Sequence, residues 1–448
     1  MERLFKFQER RTNVRTEIVA GFATFMTMAY IIFVNPGILF GGTDMMNAGI
    51  VATCLAAGIM TIFMGLYTNF PLAMAAGMGL NAVVAYGMVA GAKLPLATAM
   101  GVIVMEGAII TILVLTKVRE MLMDAIPMNL KRGIGVGIGL FIAFIGLVDS
   151  KMVVQGQGTP LALGDWTSPG VVLTLFGLVI TVVLLVRRVK GAFLIGILGT
   201  TVIGLIMTWI GYPVIAKEAM QSAAHIVAWP TASSFATIGK VNVWAVLVNP
   251  ALWGFVLATL MSDFFDTMGT VVSIGEQAGL TNKEGKVPHL NRILLVDSIG
   301  AMLGGLFGIS SNTSYIESAA GVGEGGRTGL TSVVVGILFL LAIFFTPIIG
   351  LVPTQATAPA LILVGFLMAQ TAAEIDFSDW ETAIPAFLTF LTIPLTYSIA
   401  RGIGVGFVAL TLIKLVKGKF KDLSWLMIIV SLFFLVDMLN LWSRIFGN

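Results

Sequence analysis

Charged side chains are scarce in this sequence. Asp, Glu, Lys and Arg make up 11% of 448 residues, where a soluble domain carries roughly 25%. That is too few to cover a water-facing surface, which excludes an ordinary soluble domain. Cysteine occurs once, at Cys54, so neither an internal disulfide nor a thiolate metal cluster can form. The two histidines, His225 and His289, lie outside the strongest apolar runs, which argues against a histidine metal centre. HExxH, GxSxG and Walker sequences are absent, so the usual membrane hydrolase and ATPase chemistries have no support. No cofactor and no enzymatic activity are expected. The net charge of +3 is too small to argue for a nucleic-acid partner. No cleavable signal pattern opens the chain, and its charged start leads straight into a long apolar run.

What fills the sequence is hydrophobicity, at 57% of residues with a mean hydropathy of +0.98. The apolar runs are long enough for membrane helices rather than barrel strands, so the expected surroundings are a lipid bilayer. Segments fall at 18–39, 47–67, 71–91, 96–116, 133–148, 169–187 and 191–211. A more polar stretch, 212–248, follows. Seven more then fall at 249–272, 290–307, 308–325, 328–347, 355–370, 382–399 and 402–416, with an extra run at 424–446. The fold class expected is an all-α polytopic membrane protein of about 14 segments.

Basic residues orient the segments. Arg3, Lys6, Arg10, Arg11 and Arg15 precede the first. Lys117, Arg119, Lys131 and Arg132 follow the fourth; Arg187, Arg188 and Lys190 the sixth; Lys283, Lys286 and Arg292 the eighth; Arg327 the tenth; Lys417, Lys419 and Lys421 the fourteenth. All fall on one side, which the positive-inside rule makes cytoplasmic, N-terminus included. Because seven is odd, the second half enters the membrane upside down relative to the first, the mark of a 7+7 inverted repeat and of secondary transporters.

The third and tenth segments are abnormal. The third, NFPLAMAAGMGLNAVVAYGMV, is interrupted by Pro71, Gly77 and Gly79. The tenth, GISSNTSYIESAAGVGEGG, opens on Ser, Asn and Thr, which are poor helix formers. They hold the same place in the two halves, and paired interruptions point to a midplane site. Broken backbone is tolerated in a membrane only around a protein-lined cavity.

Acids in apolar segments mark the same region. Asp263 and Asp266 lie mid-helix in NPALWGFVLATLMSDFFDTMGTVVS, three residues apart and therefore on neighbouring positions of one face. Glu317 starts the second part of the tenth segment. A carboxylate in hydrocarbon costs on the order of 3 kcal/mol or more, so each needs something that binds it. The bland readings are a structural pair held by hydroxyls or amides for the aspartates, and a helix cap for Glu317. Two carboxylates this close do not both stay ionised in a dry site, which suits a proton carrier. Asn81 is a binding amide or a packing amide. Asp297 and Glu106 line a site or tie spans together. Tyr315 stacks on an aromatic solute or anchors the strand. Glu324 beside Arg327 reads as a solvated ion pair. The string GIGVGIGL at 133–140 reads as close helix packing rather than nucleotide binding.

GMGLNA after NFPLA, DFFDTMGT in the eighth segment and SNTSYIESAAGVGEGGRTGL in the tenth resemble the AzgA-like purine permeases. These are a branch of the nucleobase–cation symporter-2 family, which shares the UraA fold. The opening RTEIVAGFATFMTMAYIIFVNP and the later TAPALILVGFLM match as well, so the likeness spans nearly the whole chain. The resemblance implies a core domain from 18–116 and 249–347 and a gate domain from 130–211 and 355–416, with 424–446 extra. It implies short strands in the third and tenth segments. It implies purine nucleobase uptake (hypoxanthine, guanine or adenine) with protons across the cell membrane. Asp263 and Glu317 match the family's two main substrate-binding acids, and Asp266 and Asn81 match further required residues. Thr267 stands where uracil-type relatives carry a histidine near the base. Tyr315 and Ile316 match the strand-to-helix stretch beside the substrate. Proton coupling would fall to Asp263, Asp266 and Glu317. An anion exchanger or another small-solute transporter of the same fold is the alternative, disfavoured by three acids and no basic residue at the site. Oligomeric state is open, a homodimer included.

Overall fold

The computed structural model describes residues 1–116, 126–216, 219–220, 226–282 and 287–439. Lys117, Arg119, His225, Lys283, Lys286 and the tail residues 440–446 lie outside the described residues. The first half contains α1 (Val14–Met28), α2 (Ile31–Phe40), α3 (Met46–Thr68), the strand β1 (Met74–Ala76), the short α4 (Met78–Ala82) continuing as a π-helical stretch Val83–Gly91, then α5 (Leu96–Leu115), α6 (Met128–Asp149), α7 (Pro169–Val186) and α8 (Ala192–Trp209). The second half contains α9 (Trp253–Gln277), α10 (Leu290–Phe307), β2 (Asn312–Ser314), the short α11 (Ser318–Gly323), α12 (Gly329–Ala342), α13 (Thr354–Ala369), α14 (Trp380–Thr396), α15 (Ile399–Val416) and α16 (Trp425–Met438). Local sequence sets many ends. Asn13 caps α1 by accepting from the Thr16 amide, Pro169 opens α7, and Gly308 at φ 80° closes α10.

Eleven helices among the described residues are long and apolar enough to cross a bilayer. The third and tenth expected segments are not among them, because a strand interrupts each. Nor is α14, which carries Pro385 and Pro394. The chain is nevertheless a multi-pass, mostly helical membrane protein. In the extra run at 424–446, α16 packs on α15: the Thr411 and Ser431 hydroxyls are 2.7 Å apart, and the Phe407 and Phe434 rings stack at 6.3 Å.

β1 and β2 pair antiparallel with Met74 opposite Ser314, Ala75 opposite Thr313 and Ala76 opposite Asn312. All six residues are buried. The ladder continues through Gly77 N–H to the Ser311 carbonyl and Tyr315 N–H to the Ala73 carbonyl, both 2.9 Å. Two strands leave outer edges that lipid cannot satisfy. Side chains satisfy them. Thr61 of α3 accepts from the Met74 amide at 2.9 Å and donates to the Met74 carbonyl at 3.0 Å. Ser318 accepts from the Ala73 amide at 2.9 Å, and Asp297 of α10 accepts from the Ser314 amide at 2.9 Å.

The helices sort into two packing groups. One joins α1–α5 with α9–α12 and holds both strands; the other joins α6–α8 with α13–α15. Small residues set both. At the α3–α12 crossing, a Cβ on Gly65 would stand 2.3 Å from the Gly329 carbonyl, and one on Gly329 would stand 1.9 Å from the Gly65 carbonyl. The string 133–140 lies in α6, where Gly133 meets Ala386, Gly137 meets Phe390 and Ile393, and Gly139 meets Gly365. Backbones this close gain packing that a side chain would block.

Gly329→Ala forces backbone against backbone and should destabilise the protein by about 1–3 kcal/mol or more. Gly199→Ala, whose added carbon meets nothing within 4 Å, should be neutral or stabilise by about 0.5–1 kcal/mol. Thermal unfolding of the two purified variants in detergent checks the pair; equal melting temperatures would contradict the packing argument.

Candidate functional site

Glu17, Glu106, Asp263, Asp266, Asp297 and Glu317 lie within the first packing group, and they differ in how many donors the protein gives them. Glu17, fully buried in α1, accepts from the amides of Arg327, Thr328 and Thr331 and from the Thr331 hydroxyl, at 2.6–3.2 Å. It caps the start of α12. Asp297, equally buried, accepts from the Thr267 hydroxyl at 2.7 Å, the Ser314 amide at 2.9 Å, the Ser314 hydroxyl at 2.7 Å and the Thr313 hydroxyl at 3.3 Å. Four donors make a buried carboxylate self-sufficient. These two acids tie the fold together.

Glu317 is different. It stands at the N-cap of α11 but makes no capping bond, so the helix-cap reading fails. Its side chain reaches back to α1–α2, where the Tyr30 hydroxyl donates to Oε1 at 2.6 Å. Tyr30 sits at the break between α1 and α2, buried, its ring 5.3 Å from Phe193 at the start of α8. Asp266, mid-way along α9, keeps accessible surface while lying among many protein atoms. Among the described residues no protein donor is assigned to it. Asp266, Glu317, Tyr30 and Tyr315 lie within electrostatic reach of one another. Ile316 is 47% exposed beside them. A Cβ at Gly269, one turn beyond Asp266, would meet nothing within 4 Å. Open space thus runs along α9 from Asp266 towards its C-terminal end.

The remaining expected residues form the surroundings. Asn81 in α4 is fully buried, and neither its Nδ2 nor its Oδ1 meets a protein partner. A buried amide left so costs about 1–3 kcal/mol. Thr267 is buried, its hydroxyl 2.9 Å from that of Thr313 as well as bonded to Asp297. Tyr315 is buried with its hydroxyl donating to the Ala76 carbonyl at 2.5 Å, so it ties β2 to β1. Asp263 is 1% exposed and faces the carboxyl of Glu106 on α5. Two carboxylates 4 Å apart repel by about 4 kcal/mol even at an effective dielectric of 20. Glu324 pairs with Lys190 rather than Arg327, whose guanidinium donates to the Val322 and Gly326 carbonyls. Among the described residues no three His, Cys, Asp or Glu side chains are arranged to hold a metal ion.

Sequence reasoning missed Tyr30 and Glu17. Both stand in the opening motif RTEIVAGFATFMTMAYIIFVNP. A helix that stops at Met28 and resumes at Ile31 is the feature that marks Tyr30. Glu17 carried a weaker one, since it lies in the first turn of α1 where an acid is ordinary.

Two broken elements paired at membrane depth beside buried acids are the makings of a membrane transporter's binding site. Residues 15–405 match the Permease family, and the chain belongs to it. It is 40% identical to the adenine permease AdeP of Escherichia coli over 97% of this chain and 95% of that one. It is 38% identical to the guanine/hypoxanthine permease PbuO of Bacillus subtilis over 97% of this chain and 99% of that one. Among solved structures, the transmembrane domain of a cyanobacterial bicarbonate transporter, BicA, superposes with a TM-score of 0.64 at 16% identity, covering 88% of this chain and 97% of that one. That likeness concerns the fold alone.

Asp297→Ala strands four buried donors and should cost at least about 3 kcal/mol, seen as a fall in melting temperature and in folded yield. Glu317→Gln, which touches a single protein donor, should stay within about 1 kcal/mol of the parent. The opposite order would mean that donor number does not separate structural from functional acids.

Proposed function

We propose that this permease takes up purine nucleobases (adenine, guanine or hypoxanthine) together with protons by alternating access. It would act in the cell membrane with its N-terminus cytoplasmic, as a monomer or a homodimer. The observation that carries the reading is the pair of under-supplied carboxylates, Glu317 and Asp266, within electrostatic reach of each other, together with Asn81, a buried amide that has no partner among the described residues. A purine is apolar on its faces and polar at its edge, and such a guest needs a slot with a few edge-reading groups. Glu317 accepts from ring N–H or exocyclic amine groups. Asn81 offers both donor and acceptor. Ile316 packs on a ring face, and the backbone near Leu80 and Ile316 supplies further donors. Asp263 completes the acid set from behind. Thr267 and Tyr315 act through the strands they hold.

In this reading the whole chain is a 7+7 inverted repeat of fourteen segments, the strand-bearing group is the core and the other the gate. The relatives named for adenine and for guanine/hypoxanthine support the substrate class. The fold alone does not, since BicA shares it. An anion would meet Glu317 and Asp266 with no Lys or Arg facing them among the described residues, which disfavours anion exchange. One proton crossing 100 mV contributes about 2.3 kcal/mol, about fiftyfold accumulation.

In reconstituted vesicles, labelled hypoxanthine or adenine should accumulate uphill, an uncoupler should collapse the accumulation, and uracil should compete poorly with purines. Tyr30→Phe removes the hydrogen bond that aims Glu317, worth about 1.5–3 kcal/mol to a charged group, and should lower kcat/KM for the base at least about tenfold. Normal accumulation and normal pH dependence in both Glu317→Gln and Asp263→Asn would refute the proposal, as would bicarbonate or sulfate exchange in place of purine uptake.

A further inference from the structure

Glu106 is the buried acid that the substrate reading leaves without work. It sits mid-way along α5, fully buried, and neither of its oxygens is reached by a protein N–H or O–H in hydrogen-bonding geometry. The Thr259 hydroxyl beside it is committed elsewhere, donating to the Phe255 carbonyl at 2.9 Å and the Val256 carbonyl at 3.1 Å. What meets Glu106 is another acid, the carboxyl of Asp263 from α9. The other ionisable group facing it is Asp297 of α10, whose oxygens are already engaged by Thr267, Thr313 and Ser314. The neighbouring short helix Val243–Val248 contributes only apolar side chains. The π-helical stretch contributes Tyr86, which is bonded to Asp149.

The close packing of α5 on α10 keeps other groups away. A Cβ at Gly107, next in sequence, would stand 2.6 Å from the Met302 amide nitrogen, and one at Gly305 would stand 3.0 Å from the Met100 carbonyl. Lysine and arginine are missing from the interactions of Glu106. Two buried carboxyl groups that meet from neighbouring helices are stable when a proton lies between them.

We propose that Glu106 and Asp263 form a shared-proton carboxyl pair, and that Glu106 is thereby a proton-coupling residue of the transporter. Protonation takes the pair from two negative charges to one, and no other bond changes. The pair divides labour with the cleft: Glu317 and Asp266 face the solute, while Glu106 holds the hydrogen ion one layer behind, reached through Asp263. This inference rests on the proposed symport for its consequence but not for its geometry.

The test uses the full-length protein in vesicles under an inward gradient of one pH unit, which one coupled proton turns into about tenfold accumulation. Glu106→Gln should lose that tenfold accumulation while still exchanging external for internal purine, a split that a merely structural residue would not produce. The heat of purine binding in two buffers of different ionisation enthalpy should differ for the parent and coincide for Glu106→Gln. Full accumulation with buffer-dependent binding in Glu106→Gln would overturn the proposal. Should that variant fail to fold, the Asp266→Asn/Glu317→Gln double variant decides. Its infrared spectrum at neutral pH must show the carbonyl band of a protonated buried carboxyl, and absence of the band would overturn the shared proton. A parent protein that exchanges none of adenine, guanine and hypoxanthine would refute the substrate instead, and leaves the infrared outcome decisive.

Discussion

A carboxylate inside an apolar bundle must find hydrogen-bond donors or lose its charge. Much of this architecture follows from how that requirement is met at each acid. Glu17 and Asp297 each collect four donors from the protein. Those bonds join elements far apart in sequence: α1 to the start of α12, and α10 to β2 and α9. Their charge works as mortar. Glu317 takes one side-chain donor among the described residues, the Tyr30 hydroxyl, and Asp266 keeps accessible surface. A site that fixed these acids as fully as Asp297 is fixed would have nothing left with which to hold a guest.

The strands impose a second version of the same constraint. Three residues of extended backbone on each side expose amides and carbonyls at membrane depth. They cover one another along one edge, and α3 and α10 cover the outer edges through Thr61 and Asp297. These two helices hold corresponding places in the two halves of the chain, yet one uses a hydroxyl and the other a carboxylate. The hydroxyl both donates and accepts at Met74. The carboxylate only accepts, so it gathers Thr267, Thr313 and Ser314 on the β2 side.

Much of this was legible in the sequence. Long apolar runs gave the helices, and α10 spans Leu290–Phe307 where 290–307 was read. Pro71 with Gly77, and the Ser/Asn/Thr run before Tyr315, located the interruptions because these residues disfavour helix in a way that does not depend on tertiary context. The identity of the acids was legible too, but not their division of labour. Sequence spacing places Asp263 and Asp266 on neighbouring positions of α9. It does not say that one turns into α5 against Glu106 and the other into open space. That depends on the crossing of α5 and α9, which no local pattern encodes. Tyr30 was invisible for a related reason: its partner lies 287 residues away. Glu324 was misassigned to Arg327 because proximity in sequence is a poor guide at a loop end, where Lys190 from another element arrives first.

Among the described residues, the polar links between the packing groups include two side-chain bonds. The Tyr86 hydroxyl donates to Asp149 at 2.8 Å, joining the π-helical stretch to the C-terminal end of α6. Lys190, between α7 and α8, meets Glu324 just after α11. The lysine is 59% exposed, and an ion pair so solvated contributes roughly 0–1 kcal/mol, so it does not hold the groups together. Tyr86 is better shielded, but a single hydrogen bond still contributes only about 0.5–1.5 kcal/mol, or somewhat more to a charged acceptor. Neither link is strong enough to fix one arrangement. On the proposed alternating-access mechanism, resistance to sliding would come from the acids themselves, because Glu317 and Asp266 would move with the strand-bearing group. Doing so with bare charges is costly; doing so with a guest and a hydrogen ion in place is not. On that mechanism, the coupling between cargo and motion would be set by desolvation of the carboxylates rather than by these two links.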